Sequence, residues 1–129
     1  MIVTGINSKQ RYETVISAGN NVIIADETTA NGGKDSGFTP HELLGAALAS
    51  CTSITLRMYA DRKKMDLEEI RVEVSAEHSS EPNTTILNLL IHLEGDITPV
   101  EKSRLLEIAN LCPIHKVLEG TTKINSSLV

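Results

Sequence analysis

Aromatic side chains are nearly absent from this chain of 129 residues, which has no tryptophan, one phenylalanine and two tyrosines. Its core must therefore be aliphatic, and it has too few rings to stack the bases of a single strand. An excess of basic charge is missing too. The net charge of −5 argues against a phosphate-neutralising surface, so no nucleic-acid partner is expected. No continuous apolar run approaches the ~20 residues of a membrane span. The opening MIVTGINSKQR lacks the basic start and apolar stretch of a secretory leader. No membrane association is expected, and a reducing cytoplasm is the default location. Two cysteines are too few for a disulfide scaffold, and in that compartment point to redox or metal chemistry. Repeats and low-complexity tracts are also missing. With 40% hydrophobic residues, the chain 1–129 reads as one domain able to bury a core.

What is present alternates between strand and helix patterns. Residues 11–18 and 21–25 are rich in β-branched side chains and meet at a Gly-Asn turn, with a further strand expected over 2–6. The polar, Gly-rich stretch ETTANGGKDSGF reads as a mobile flap without regular structure. A helix is predicted from Thr39-Pro40, with Thr39 as cap and Glu42 completing a capping box, running to about 61–64. Leu44, Leu48, Cys51, Ile54 and Met58 share one face of it at helical spacing. Two alternating strands follow, through Ile70, Val72, Val74 and Ala76 and then over 85–93. A second helix starts at Thr98-Pro99 with Glu101, and a short third covers 113–119 and stops at Gly120. A last strand is expected over 121–128. This order is α+β rather than a regular βαβ series.

The two cysteines have unlike surroundings. Cys51 closes TPHELLGAALASC in the apolar helix, whereas Cys112 opens CPIHK, just before Pro113. A pair that folding brings together can attack, form a sulfenic acid and close a disulfide. Two inert buried thiols are the plainer alternative. A position at the start of the short final helix makes Cys112 the readier thiolate, while Cys51 needs a cationic neighbour from the fold.

The segments GGKDSGFTPHELLGAALASC and LCPIHK, in this order and about 60 residues apart, resemble the OsmC/Ohr family of thiol peroxidases. The resemblance implies an intertwined homodimer, with antiparallel sheets around a long central helix and active sites at the dimer interface. It implies reduction of organic hydroperoxides without a bound cofactor or metal. Cys51 matches the attacking cysteine and Cys112 the resolving one, reversing the ranking from helix position. An external dithiol or lipoyl-type reductant would reopen the disulfide. Arg11, at the turn into the second strand, matches the arginine that activates the family's thiol. An ordinary solvated arginine is the plainer account of it.

One position departs from the pattern. The family's glutamate directly follows the helix-opening proline, where this chain has His41, and its acid, Glu42, comes one residue later. One residue turns a helix side chain by about 100°, so Glu42 faces elsewhere and is explained by capping. His41 is either a surface histidine or a substitute without fixed negative charge. The departure resembles a less characterised branch of the family and bears on peroxidase strength. His115, one turn past Cys112, could bond its sulfur or sit at the entrance. Zinc is not expected, because only Cys112 and His115 have the close spacing of a ligand pair. The rival reading is a non-catalytic small-molecule-binding or redox-sensing protein that uses the same interfacial pocket.

Overall fold

The computed structural model describes residues 1–129 as an α+β chain of five strands and three α-helices. Packing groups them into two compact units, Met1–Leu44 and Gly45–Val129.

The first unit holds a three-stranded antiparallel sheet in the order β1 (Thr4–Ile6), β2 (Thr14–Ala18) and β3 (Asn21–Ala25). Ala18 pairs with Asn21 across a two-residue loop, and Gly19 at φ +60 gives that loop the primed geometry that matches strand twist. The Gly-rich stretch is not the irregular flap expected of it. It contains a 3-10 turn, Thr29–Asn31, and returns to β3 as an isolated parallel bridge between Ala25 and Phe38. The Asp26 amide donates to Phe38 O at 3.0 Å and the Phe38 amide to Ile24 O at 3.2 Å. Glycine permits that approach: a Cβ on Gly37 would lie 2.1 Å from Ile24 O.

The buried Asp26 organises this loop. Its carboxylate accepts from the Glu27 amide at 2.8 Å, the Lys34 amide at 3.0 Å, the Ser36 amide at 3.2 Å and the Ser36 hydroxyl at 2.8 Å. Burial pushes its pKa up, but the bonds from Glu27, Ser36 and Lys34 outweigh that and lower it from the ordinary 3.8 to about 2.

Helix α1 (Pro40–Arg62) opens with the expected box: the Thr39 amide donates to Glu42 Oε2 at 2.8 Å and the Glu42 amide to Thr39 Oγ1 at 3.2 Å. Its buried residues are Leu48, Thr52, Leu56, Tyr59 and Ala60. This corrects the predicted face, because Leu44, Ile54 and Met58 are exposed and Cys51 is only half-buried. The true stripe is turned by about one residue, or 100°, since the partner elements meet the helix along 48–52–56. By length and composition α1 could cross a membrane, against the expectation from the bare sequence. Its leucines and Ile54 supply most of that hydropathy, and its buried residues Leu56, Tyr59 and Ala60 belong to the core of the second unit.

That unit adds β4 (Asp66–His78) and β5 (Thr85–Asp96), an antiparallel pair. Val72 pairs with Ile91, Val74 with Leu89 and Ile70 with Leu93, so the apolar sets share one face, while exposed Leu90 lies opposite Glu73 on the other. The ladder slips between Leu67 and Glu69, and the Arg57 guanidinium donates to the carbonyls of Leu67 and Glu68 there. Helix α2 (Pro99–Ala109) begins with a full Thr98–Glu101 capping box, and α3 spans Pro113–Glu119. The core joins Leu56, Tyr59 and Ala60 of α1 to Leu67 of β4 and to Leu105, Ile108 and Ala109 of α2, with Ile70, Ile91 and Leu93 packed against it. Residues 121–129 form no strand, contrary to expectation; their β-branched residues have no neighbouring strand to complete a ladder, and Ile124 and Leu128 are exposed.

Leu56→Ala should lower unfolding free energy by about 2–5 kcal/mol in denaturant titration, because Leu56 is fully enclosed. Asp26 titrates lower in the folded chain than in the unfolded one, so its contribution is complete above pH 4 and fades as pH falls towards 2. Thermal melts of wild type and Asp26→Asn should therefore lie well apart at pH 7 and converge as the pH approaches 2.

Candidate functional site

The reactive elements of the second unit are α1 and the α2–α3 junction. Adjacent residues on a helix point about 100° apart. Thr52 therefore turns fully into the core while Cys51, beside it, stays half-buried on the flank leading to exposed Ile54 and Met58. Cys112 follows the end of α2 and is the N-cap residue of α3. Pro113 fits the first helical position, where its missing amide hydrogen leaves no bond unmade. The Cys112 sulfur replaces the usual capping oxygen: it accepts from the His115 amide at 3.3 Å. It also accepts from the Thr52 hydroxyl at 3.7 Å. Cys112 is wholly buried, and both cysteines are free thiols.

His115 touches this sulfur through its backbone only. Its ring turns to Glu119, with Nε2 at 3.2 Å from Oε2, and lines a groove of about 300 Å3. Leu48, Ile86, Leu89 and Leu118 give that groove apolar walls. The groove thus lies beside the Cys112 cap rather than beyond it.

The other predicted residues belong to the first unit. Exposed Arg11 adopts a left-handed backbone at φ 55, and its guanidinium donates to Gly32 O at 2.7 Å, tying the turn before β2 to the loop that precedes α1. Glu42 is engaged in its capping box. His41 is exposed in the first turn of α1. No group of three or more His, Cys, Asp or Glu side chains converges as a metal site.

Two participants escaped the sequence reading. Thr52 is polar, but its spacing of four from Leu48 and Leu56 places it on the buried stripe. Glu119 as the partner of His115 follows from the same spacing of four.

The chain belongs to the OsmC-like protein family, whose sequence model matches residues 33–127. No curated protein sequence matches it. Among solved structures, it is similar to a Psychrobacter arcticus protein named for a candidate role in osmotic stress and detoxification. That match has 23% identity and a TM-score of 0.78, over 89% of this chain and 85% of the other. An OsmC-like protein from Mycoplasma pneumoniae matches at 20% identity and TM-score 0.78, over 92% and 86%. The organic hydroperoxide resistance protein OhrB of Bacillus subtilis matches at 20% identity and TM-score 0.62, over 92% and 90%. At these identities the structural likeness establishes the fold.

If the Cys112 sulfur caps α3, Cys112→Ala should lose about 1 kcal/mol of stability, as loss of an oxygen cap does. Amide exchange at His115 should quicken in that variant and stay slow in Cys112→Ser, which keeps an acceptor; equal protection in all three proteins would rule the cap out.

Proposed function

We propose that this protein reduces organic hydroperoxides with its two cysteines, in defence against oxidative stress. Cys51 attacks the peroxide and becomes a sulfenic acid; Cys112 displaces the hydroxyl as water and closes a disulfide. The observation that carries this reading is the seating of the Cys112 sulfur against Thr52, the immediate neighbour of Cys51. Two free thiols on adjoining elements of a family with named hydroperoxide resistance members suit that sequence of steps. Arg11 takes the assisting role that the family resemblance gives it, and His41 and His115 are supporting residues. Glu42 serves the start of α1. A small dithiol or a lipoyl-type thiol reopens the disulfide, and no bound cofactor or metal is required. The working form is a cytoplasmic homodimer, in which a second copy covers the apolar residues Ile54 and Met58 that α1 leaves exposed beside Cys51.

The apolar groove favours a second reading, a small-molecule-binding or redox-sensing protein without turnover. A ligand retained through purification, with both thiols unreacted at millimolar hydroperoxide, is its signature.

Mass spectrometry after cumene hydroperoxide treatment distinguishes the two. A new Cys51–Cys112 link is expected in wild type, none in Cys51→Ser, and an oxidised but unlinked Cys51 in Cys112→Ser. Peroxide consumption should fall at least a hundredfold in Cys51→Ser, and undiminished consumption there would end the role assigned to Cys51.

A further inference from the structure

Thr52 is one of only two buried polar or charged side chains, the other being Asp26. A hydroxyl taken out of water is unfavourable unless it is hydrogen-bonded, and valine has the same shape without that penalty. Helical hydroxyls ordinarily satisfy themselves on the preceding turn, as Ser50 does by donating to Ala47 O at 3.1 Å. The Thr52 hydroxyl instead donates to the Cys112 sulfur at 3.7 Å. The His115 amide reaches the same sulfur at 3.3 Å. Two donors directed at one buried sulfur restrict where it can sit. They come from different elements, one from α1 and one from α3, and so fix the sulfur beside the turn of α1 that carries Cys51.

We infer that Thr52 is a positioning residue for disulfide closure, holding the Cys112 sulfur beside the α1 turn that bears Cys51. This rests on the two-cysteine reading above. An organic hydroperoxide first oxidises the Cys51 thiolate to a sulfenic acid and leaves as the alcohol. The Cys112 sulfur then donates an electron pair to the Cys51 sulfur: the S–S bond forms, the S–O bond breaks, and the hydroxide leaves with the Cys112 proton as water. Thr52 takes no part in the first step. Its hydroxyl acts on the second by holding the attacking sulfur in place. Without that hydrogen bond closure slows, and the waiting sulfenic acid meets a second peroxide and becomes sulfinic acid.

The test is a partition rather than a turnover number. Wild type, Thr52→Val and Thr52→Ser are treated with cumene hydroperoxide, quenched over time and analysed by mass spectrometry for Cys51–Cys112 disulfide and for Cys51 sulfinic acid. Thr52→Val should close the disulfide roughly tenfold more slowly, the rate equivalent of one hydrogen bond, and accumulate sulfinic acid. The first oxidation of Cys51 should keep its rate, and Thr52→Ser, which retains the hydroxyl, should restore closure. Thr52→Ala replaces the valine variant if that one fails to fold. Disulfide closure at the wild-type rate in the variant lacking the hydroxyl, with no extra sulfinic acid, overturns the role of Thr52 while leaving the two-cysteine reading intact. If wild type itself forms no disulfide, that reading fails, and this inference falls with it.

Discussion

The packing of α1 against α2 and the inner face of the β4–β5 pair is the constraint on which the second unit depends. Leu56 and Leu105 are both fully enclosed, and the residues around them are aliphatic or small apart from Tyr59. With almost no aromatic volume available, such a core has to fill space by close approach of backbones. At Gly45 of α1 an added Cβ would meet the Val74 side chain at an ordinary contact distance, 3.8 Å. Once Leu48 and Leu56 are inside, Thr52 has to be inside as well, and Cys51 is left on the flank. The placement of both reactive elements therefore follows from a packing decision made by leucines.

That placement divides the chemistry between two environments. The Cys112 sulfur is enclosed and bonded from two sides, whereas the Cys51 thiol borders an apolar strip that this chain alone leaves open. Access and activation are thus separated in space: one sulfur can be reached, and the other is held. The groove is lined by His115, Leu118 and Glu119 of α3, the helix that the held sulfur caps.

Much of this was legible from the residue order. Thr-Pro followed by an acid marked the starts of α1 and α2, because capping is local chemistry that needs no tertiary partner. Alternation placed β4 and β5, because a sheet buried on one face repeats every two residues. The buried face of α1 was not legible. Two apolar stripes about 100° apart run along it, and only the partner elements choose between them. The loop after β3 was misjudged because its order comes from one buried carboxylate and from glycines that let backbone lie on backbone. Composition records those same residues merely as polar and flexible. The strand expected over 121–128 fails for the opposite reason: propensity is present without a ladder to join. Of the site, both cysteines were visible as motifs, while Thr52 needed a reading of spacing that ignored its polarity.

A helix of seven residues cannot sustain itself, since isolated helices below about 12–15 residues are marginal in water. The α3 segment is of that length, and its start is held by a side-chain bond to one atom, the Cys112 sulfur. Three of its residues, His115, Leu118 and Glu119, form a wall of the groove. The capping sulfur and the groove wall thus belong to one short segment of chain, Cys112 to Glu119.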